Sequence, residues 1–356
     1  EKQWNRYMGG QGVYDWEGLQ FLEAAFKGNA CKEHNWLFRY VIIRDSSGNP
    51  ILMTFVTLSL WKDDMLAQAQ ISATIEQERK EKPYHLTSTV LSLGCLFTEG
   101  NHLYWDKSHE LGGAARDGLL ELMEKMEHQF STKMTVLRDF EAESTWNEAL
   151  YGHGFLRVQM PNSCTVDLTE IDTMENYMGQ LSSRNRRHFR KDIQPFFDLS
   201  QSETISNANA FQIQEFKRLF GEVQKRNLGL NTFSFPDQLF DRMNENEHWE
   251  FIVLTPKGKP KTILGVMFCY TNQNAVYVPA FVGIDYDLLE TYSTYRQLLY
   301  RTIERAIELD IPKIDFGMTA SFEKRKLGAM VHEKYAYLQT NDNFILEMIG
   351  VMEGQH

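Results

Sequence analysis

The chain has 356 residues, of which 42% are hydrophobic and 13% aromatic, and its formal net charge is −11 at pH 7. This composition excludes a disordered protein, and the acidic balance argues against general nucleic-acid binding, which needs concentrated cations to neutralise phosphates. The length suits two domains of about 170–180 residues each.

The first half of the sequence predicts a hairpin, a third strand, a helix and a fourth strand. The predicted elements are strands over residues 36–43 and 51–60, a strand over 88–97, a helix around Leu119-Leu120, and a strand that ends near Asp139-Phe140. Runs of β-branched and aromatic residues, separated by polar turns, are typical of strands. The polar stretch over residues 76–83 predicts an exposed loop.

The second half repeats this order of elements. Its predicted elements are strands over residues 249–254 and 263–270, a strand over 275–282, a helix around Leu298-Leu299, and a strand that contains Asp315-Phe316. Such self-similarity indicates two related units in tandem. We place the boundary after a strand-like run that ends at Leu168, so the predicted domains are residues 1–168 and 169–356.

Between the two repeats the sequence predicts helices over residues 170–198 and 208–227. The first contains the segment Ser182 to Lys191, with five cations among its last eight residues. Residues 263–284 carry no charge and are long enough to span a bilayer, but a polar Thr-Asn-Gln-Asn sequence lies in the middle of the run. We therefore interpret this run as two strands rather than as a membrane helix.

The last sixty or so residues predict a helix, a strand, a basic helix and a final strand. The segments are a helix over residues 292–309, the strand Lys313-Ile314-Asp315-Phe316-Gly317, the helix Phe322-Glu323-Lys324-Arg325-Lys326-Leu327-Gly328-Ala329, and the strand Lys334-Tyr335-Ala336-Tyr337-Leu338. This order, with Lys-x-Lys-Leu-Gly-Ala near its end, resembles the closing half of a GNAT-type acyltransferase. It is most similar to the Fem-type and peptidoglycan biosynthesis/recognition branch, in which a Leu-Ser-Ser-x-x-Arg-Arg segment also occurs.

The resemblance implies an α/β protein with tandem duplicated GNAT-like domains, each a mixed central sheet flanked by helices. The superfamily binds the pyrophosphate of its donor with a Gln/Arg-x-x-Gly-x-Gly/Ala turn at the start of the central helix. The first half has His109-Glu110-Leu111-Gly112-Gly113-Ala114 at this place, so His109, Gly112 and Gly113 are candidate donor-binding residues. The second half has no glycine there, and a plain helix start is the alternative interpretation of the glycine pair.

The resemblance also implies where the chemistry occurs. An amine attacks a thioester directly, so the site needs a base and groups that stabilise the oxyanion. Glu99 and His102 follow a strand end that faces the donor cleft in this fold and are candidate bases, although both residue types are common in solvated turns. In the second half, Tyr295 and Asp315 are candidate catalytic residues, and Tyr292 is a candidate phosphate contact. Packing at a helix end is the alternative role for both tyrosines.

Cations near the end of the chain and in the segment Ser182 to Lys191 are the remaining candidates. In the Fem-type branch a late lysine contacts a phosphate, which implies Lys324 or Lys326 here. The segment that contains Arg186 and Arg187 predicts a surface for the phosphates of coenzyme A, an acyl carrier protein, a tRNA end or an anionic lipid. A solvated helix face is the alternative. Metal ligands, a nucleophile elbow and a nucleotide-binding glycine motif are not visible in the sequence.

These patterns favour an N-acyltransferase that moves an acyl group from acyl-CoA or an acyl carrier protein to a primary amine. The related branch implies a role in lipid or cell-envelope synthesis, with a long-chain amine as a reasonable acceptor. Aminoacyl transfer from aminoacyl-tRNA, or a GNAT-fold binding module without catalysis, are the alternatives. No bound cofactor, metal or DNA is expected, since the donor is a co-substrate.

The location is predicted from the cysteines and the first residues. Cys31, Cys95, Cys164 and Cys269 are isolated, without zinc-ligand spacing, which is typical of reduced thiols in a cytoplasmic protein. The first residues lack an apolar signal core, and the sequence does not begin with Met, so we expect it to belong to a longer chain. Peripheral attachment to a membrane is compatible with these features.

Overall fold

A computed structural model of the protein describes residues 1–227, 230–272 and 275–340. Its helices are α1 (Lys2–Met8), α2 (Trp16–Ala25), α3 (Ala69–Arg79), α4 (Gly112–Phe130), α5 (Asn147–Gly152), α6 (Met174–Gln180), α7 (Ser183–Asp192), α8 (Ala210–Arg226), α9 (Gln238–Glu245), α10 (Leu289–Tyr292), α11 (Thr294–Glu308) and α12 (Ser321–Lys326). Its strands are β1 (Leu37–Arg44), β2 (Pro50–Lys62), β3 (Thr87–Leu93), β4 (Leu103–Trp105), β5 (Met134–Glu141), β6 (Leu156–Asp167), β7 (Ser200–Ile205), β8 (Trp249–Pro256), β9 (Gly265–Asn272), β10 (Val276–Ile284), β11 (Lys313–Met318) and β12 (Met330–Thr340). Short 3₁₀ helices cover Gly12–Tyr14, Lys32–His34 and Gln194–Asp198.

The strands form one mixed sheet that runs through both halves of the chain. Their order is β1-β2-β3-β5-β12-β6-β11-β10-β9-β8-β7, and β4 pairs with β2. The pairs β3–β5 and β10–β11 are parallel, and α4 and α11 are the helices that connect them. A parallel pair needs such a crossover, whereas antiparallel neighbours can be joined by a short turn. The predicted mixed α/β fold with a central sheet flanked by helices is confirmed.

The two halves meet by exchanging their last strands. Strand β12, from the end of the described chain, lies between β5 and β6 of the first half. Strand β6, the last strand of the first half, pairs in turn with β11 of the second half. Each half therefore completes the sheet of the other. The boundary after residue 168 follows β6 in the chain and stays a prediction.

Helices cover both faces of the sheet because its central strands are apolar on both sides. In β8, Phe251 and Val253 belong to one hydrophobic cluster, whereas Ile252 and Leu254 belong to another. Successive strand residues point to opposite faces, so a continuous apolar run fills two cores at once. Helices α2, α8 and α9 pack in the first of these cores and α11 in the second.

The uncharged run over residues 263–284 forms strands β9 and β10, as predicted. Residues 273–274 of the predicted turn lie outside the described residues. Among the helices that the structure describes, each is too short or too polar to cross a bilayer.

The predicted helix over residues 170–198 is wrong in its continuity. The chain forms α6, breaks at Leu181 in an extended conformation, and starts α7 with Ser182 as its N-cap. The Ser182 side chain accepts a hydrogen bond from the Asn185 backbone N–H, which satisfies a donor that the new helix would otherwise leave free. The serine pair is thus a helix start inside a pattern that otherwise suits one long helix.

Two further predictions of local structure are wrong over part of their range. The helix predicted over residues 292–309 is divided at Ser293, whose φ of 49° is left-handed. The loop predicted over residues 76–83 is confirmed for residues 80–83, which are exposed and outside helices, but residues 76–79 belong to α3. There Arg79 is buried, and its guanidinium lies 2.6 Å from an Asp64 carboxylate oxygen. A buried partner distant in sequence turned a polar stretch into a packed helix, which a local pattern does not reveal.

Candidate active site

A cleft opens where the parallel strands β10 and β11 diverge. Tyr277 and Ile314 are the register pair that the structure gives for these two strands. Three residues after Tyr277 the register of β10 against β9 shifts, between Pro279 and Phe281. Proline has no N–H for the ladder, so within a sheet it occurs at edges and bulges. The ends of β10 and β11 therefore separate near a bulge in β10, and Pro279 marks the position of this bulge in the sequence.

The cavity between these strand ends has a volume of about 190 Å³, and we call it the β10–β11 cleft. Its lining is largely aromatic and aliphatic, with polar groups at a few positions. The apolar lining residues include Leu96, Phe97, Phe220, Val223, Leu230, Phe235, Ala280, Phe281, Val282, Phe316 and Met318. The polar lining residues are Glu99, Gln224, Asn227, Asn231, Thr232 and Thr319. Such a lining suits a hydrophobic group that ends in a polar, reactive one.

Glu99, a predicted base, reaches this cleft from the first half of the chain. Its carboxylate lies against Gly317 of β11, where an added β-carbon would overlap the Glu99 Oε2 atom. Gly317 has a φ of 62°, a conformation that glycine adopts without steric cost. The contact thus places an acid from one half at the divergent strand end of the other.

The segment that carries Glu99 is held by Tyr14. The Tyr14 hydroxyl donates to the Thr98 backbone carbonyl at 2.6 Å and accepts from the Thr98 hydroxyl at 2.9 Å. Tyr14 is fully buried, and burial raises the pKa of its phenol well above the usual value. Tyr14 is therefore neutral and fixes the backbone immediately before the acid.

Lys324, a predicted phosphate contact, is instead bonded inside the protein. Its side chain is buried, and its ammonium group donates to the backbone carbonyls of Phe316 at 2.7 Å, Met318 at 2.8 Å and Gly317 at 3.3 Å. Burial lowers the pKa of this amine. An ammonium group has three donors, and three carbonyls occupy them. The side chain holds the end of β11 in place beside Glu99 and has no donor left for a phosphate.

The corresponding space in the first half, after the parallel pair β3–β5, is filled by buried polar side chains. The Arg138 guanidinium lies 2.9 Å from an Asp139 carboxylate oxygen and donates to the Cys95 carbonyl, also at 2.9 Å. His102, the other predicted base, packs against this pair, and a β-carbon at Gly94 would overlap its ring. The first half therefore has a packed core where the second half has a cleft.

His102 is not placed to take a proton from an amine in solvent. Its exposure is 1%, and burial, followed by the nearby Arg138, lowers the pKa of the imidazole well below its usual value. Burial raises the pKa of Asp139 to about 6, although the Arg138 guanidinium acts in the opposite direction. Neither ring nitrogen of His102 has a hydrogen-bond partner among the described residues. The imidazole is a neutral core group.

The predicted glycine turn lies in the first half, beside β4. Gly112 is the first residue of α4, and its carbonyl accepts from the Trp105 indole at 2.9 Å. A β-carbon at Gly112 would lie 2.7 Å from the Asp106 carbonyl oxygen, so close packing requires glycine there, whereas Gly113 has open space. His109 accepts from the Leu111 backbone N–H at 3.1 Å. These three residues do not line the β10–β11 cleft.

Several candidates from the second half gather at the start of α11. Ser293 donates to the Asp192 carbonyl at the end of α7 at 2.8 Å, and Asn185 of α7 donates to the Arg325 carbonyl of α12 at 3.2 Å. Tyr292 and Tyr295 pack against the hydrophobic cluster beneath this junction. Burial, and then Cys164, raises the pKa of Tyr295. Neither tyrosine lines the β10–β11 cleft.

The cationic side chains at this junction differ in whether they are bonded within the protein. Arg186 donates to the Gly179 and Leu181 carbonyls, and Lys326 donates to a Glu323 carboxylate oxygen at 2.9 Å. Among the exposed arginines with no recorded ion pair in the described part of the chain, we call three on α7 and α12 the basic surface: Arg187, Arg190 and Arg325. The helices that carry the basic surface contact the start of α11, α7 through the Ser293–Asp192 hydrogen bond and α12 through the Arg296–Glu323 ion pair. The N–H groups at a helix N-terminus favour anions.

Asp315 lies on the opposite face of the sheet from the cleft. It lines a second cavity, of about 750 Å³, formed over β6, β11 and β12. The Gly317 backbone N–H donates to its carboxylate at 3.0 Å, and burial raises the pKa of this carboxyl group. Asp315 and Glu99 are thus brought close together by the backbone at residues 315–317.

The chain resembles known proteins in part of its sequence and in its fold. Residues 183–325 match the family model described as the acetyltransferase (GNAT) domain. The C-terminal domain of a putative lysylphosphatidylglycerol synthetase from Agrobacterium fabrum is similar over 99% of this chain and 95% of its own, with 10% identity and a TM-score of 0.52. At this identity the likeness concerns the fold alone. No curated protein sequence matches the chain.

Two further solved structures are similar at lower scores. L-PGS from Bacillus licheniformis covers 88% of each chain with 12% identity and a TM-score of 0.49. A tandem GNAT protein from the clavulanic acid biosynthesis pathway covers 91% of this chain and 94% of its own, with 8% identity and a TM-score of 0.49. The family match supports the GNAT superfamily and an acyltransferase, and the Fem-type branch stays a prediction.

Sequence reasoning missed most of the residues that line the cleft. Ala280, Phe281 and Phe220 did not stand out, because apolar residues in strands and helices are usually ordinary core. Pro279 was the available signal, since a proline inside an apolar strand predicts a bulge. No sequence pattern indicated the contact of Glu99 with Gly317, because Gly317 comes from the other half of the chain.

Proposed function

We propose that the protein transfers an acyl group from a thioester to a primary amine, with the acyl end of the donor in the β10–β11 cleft. The observation that supports this most is the divergence of two parallel strands at a bulge, which opens an apolar cavity beside a carboxylate. The backbone of Ala280 to Val282 lies along this opening, and its N–H groups are the candidates for stabilising the oxyanion.

The reaction needs a proton acceptor and no covalent intermediate. A free ammonium group has a pKa of about 10.4, so it must lose a proton before it can attack. In the proposal Glu99 takes this proton, and the amine nitrogen then bonds to the thioester carbonyl carbon. The carbon–sulfur bond breaks as the tetrahedral intermediate collapses. The second N–H proton leaves with the thiolate, so that an amide and a free thiol are the products.

The basic surface is proposed to bind the phosphates of the donor. Arg187, Arg190 and Arg325 are exposed beside the start of α11, and an arginine fork matches phosphate oxygens in two hydrogen bonds. In this proposal Arg186 has a structural role and does not bind phosphate, because its guanidinium donates to backbone carbonyls. Both coenzyme A and the phosphopantetheine of an acyl carrier protein present such phosphates.

The test is to incubate the purified protein with acyl-CoAs of increasing chain length and a panel of amines. Thiol release and the mass of the amide product are measured. We expect Glu99→Gln to lower kcat by about 10²–10⁴ if Glu99 is the base. Glu203→Gln, on the exposed edge strand β7, is the matched control and should retain the full rate. Turnover by Glu99→Gln at the rate of the wild type would remove Glu99 from the mechanism.

Aminoacyl transfer from aminoacyl-tRNA is the second candidate, because the basic surface suits a phosphodiester backbone as well as a coenzyme. The same assay includes aminoacyl-tRNA as a donor, and product formation only from this donor would replace the acyl-CoA proposal. Donor binding without any product, from every donor tested, would instead favour a binding module that kept the fold. A lipid or cell-envelope role depends on which amine is accepted.

A further inference from the structure

A second cavity lies over the strands that the two halves exchange, and we call it the central trough. It has a volume of about 750 Å³ and crosses β6, β11 and β12. Its titratable lining residues are Glu141, Asp167, Lys313, Asp315, His332 and Lys334. The N-terminal Gly10–Gly12 segment and Gly100–Asn101 form part of its rim. The trough therefore exists only because the two halves join into one sheet.

The trough and the β10–β11 cleft are separated by a wall one strand thick. Asp315 lines the trough, and the next residue, Phe316, lines the cleft. Glu99 lines the cleft, and the next residue, Gly100, lines the trough. Alternation of side chains along β11 explains the first pair, whereas Glu99 and Gly100 belong to an irregular segment. A ligand in the trough is thus one residue away from the proposed base.

Glycines occur on both segments of this wall. A β-carbon at Gly100, whose φ is 127°, would lie 4.0 Å from the Asp315 carboxylate, and one at Gly317 would overlap the Glu99 carboxylate. Each carboxylate therefore lies beside a glycine of the other segment. Glu99 and Asp315 therefore lie near each other on the two sides of the wall, where an acceptor in the trough would approach a thioester in the cleft.

Strand β11 brings one positive and one negative side chain to the trough. Lys313 and Asp315 are two residues apart on one face of the strand, which places their α-carbons about 7 Å from each other. Lys313 is exposed, and no ion pair with it is recorded in the described residues, whereas Lys334 pairs with Glu141 and His332 with the Thr165 hydroxyl. Asp315 at the wall and Lys313 a short way along the strand therefore face the same space, with Asp167 of β6 opposite Lys313.

We propose that the central trough binds the acyl acceptor, and that this acceptor is a polar amine with an anionic group, its ammonium held by Asp315 and its anionic group by Lys313. The inference rests on the proposed acyl transfer. A peptide with a free amino and carboxyl terminus and a phosphoethanolamine headgroup share this chemistry. An unsubstituted long-chain amine lacks the anionic group, and its alkyl chain would lie against the acidic and basic lining residues.

The experiment measures binding to the full chain by calorimetry, without any donor. The probes are glycylglycine, phosphoethanolamine and n-octylamine. We expect both zwitterionic probes to bind more tightly than octylamine, and their ranking identifies the source of the anionic group. Asp315→Asn and Lys313→Met should each weaken the better probe about tenfold or more, because each removes a charge-assisted contact. Asp198→Asn and Lys261→Met, both at exposed positions outside the trough, are matched controls.

Acyl-CoA binding by the same variants separates this inference from the function on which it rests. Unchanged probe affinity in Asp315→Asn and Lys313→Met, or tightest binding of octylamine, would overturn the acceptor site while acyl transfer still stood. If the wild type binds the probes as expected but does not turn over acyl-CoA, the acyl-transfer proposal alone is overturned. Urea unfolding of each variant checks that the trough is intact, and a variant that does not fold is replaced by Asp315→Glu or Lys313→Gln.

Discussion

The carboxylate of Glu99 occupies the space that a side chain at Gly317 would need. The two residues come from opposite halves of the chain and meet at the end of β11. Gly317 is left-handed, and Lys324 bonds the carbonyls on both sides of it. The backbone at this point is therefore fixed around a space that only a glycine leaves open.

We expect Gly317→Ala to lower kcat more than its loss of stability explains. The methyl group must displace the Glu99 carboxylate, and a left-handed alanine costs about 1–2 kcal/mol in addition. Gly258→Ala is the matched control, because Gly258 is also left-handed, at a φ of 76°, but has open space around it. Comparable stability losses with a rate loss in Gly317→Ala alone would support the proposed role of Glu99. Equal rates in both variants would contradict it.

Tyr14 is expected to position Glu99 through Thr98. Tyr14→Phe removes the bond to the Thr98 carbonyl and leaves a buried acceptor unsatisfied, which costs about 1–3 kcal/mol. Tyr270→Phe is the control, because the Tyr270 hydroxyl donates to a buried carboxylate oxygen of Asp15 at 2.7 Å in the same core. Both variants should lose stability in urea unfolding. Only Tyr14→Phe should lower kcat with little change in donor KM.

The order of elements within each half was predictable from the sequence, because periodicity and turns are local. The hairpin β1–β2, the strands β8 to β10 and the helices that follow the third strands were all expected from such patterns. The position of β12 between β5 and β6 was not, since it depends on pairing between strands far apart in sequence. A strand pattern specifies a strand and does not specify its neighbour.

Some features of the candidate site were likewise predictable from the sequence, and others were not. Glu99 and Asp315 were found because the sequence places them near predicted strand ends, although Asp315 lies within β11 in the structure. The burial of His102 and Lys324 was not foreseen, because a histidine in a turn and a lysine in a basic helix are usually solvated. Which lysine of α12 points inward depends on the carbonyls of β11 beneath it. Those carbonyls are known only once the helix is packed.

Lys324 is expected to act on stability, and Lys326 hardly at all. Lys324→Met leaves three carbonyls without their buried donor, and we expect a loss of about 2–4 kcal/mol in the free energy of unfolding. Lys326→Met removes one partly exposed ion pair with Glu323, which typically contributes less than about 1 kcal/mol. Urea unfolding measures both. A large rise in donor KM for Lys324→Met, with unchanged stability, would show that its ammonium binds phosphate after all.

The basic surface is expected to control the salt dependence of donor binding. Replacing Arg187, Arg190 and Arg325 together by Gln should raise the donor KM and flatten its dependence on ionic strength, because exposed charges are screened by salt. The control replaces three exposed lysines of the first half, Lys27, Lys82 and Lys125, by Gln, which changes the net charge equally. Equal effects of the two triple variants would show that only the overall charge matters.

The buried Asp139 should make the protein less stable as the pH rises from about 4 to 6. Burial raises its pKa to about 6 in the folded protein, above the value of about 3.9 that an unfolded chain has. Between these values the folded state holds a proton that the unfolded state has lost, so the free energy of unfolding falls with rising pH. His102 acts in the opposite direction, because its lowered pKa destabilises the fold as the pH falls below about 6.5.

The variant Asp139→Asn separates the two contributions. Asn suits the left-handed φ of 68° at this position and cannot ionise. Subtracting its free energy of unfolding from that of the wild type at each pH leaves the part of the pH dependence that Asp139 causes. We expect the difference to change between pH 4 and 6, with the wild type losing stability relative to the variant, and to level off above. Urea unfolding at half-unit pH steps measures this curve. A difference that stays constant across the window would mean that Asp139 keeps an ordinary pKa, stabilised as a carboxylate by the Arg138 guanidinium at 2.9 Å.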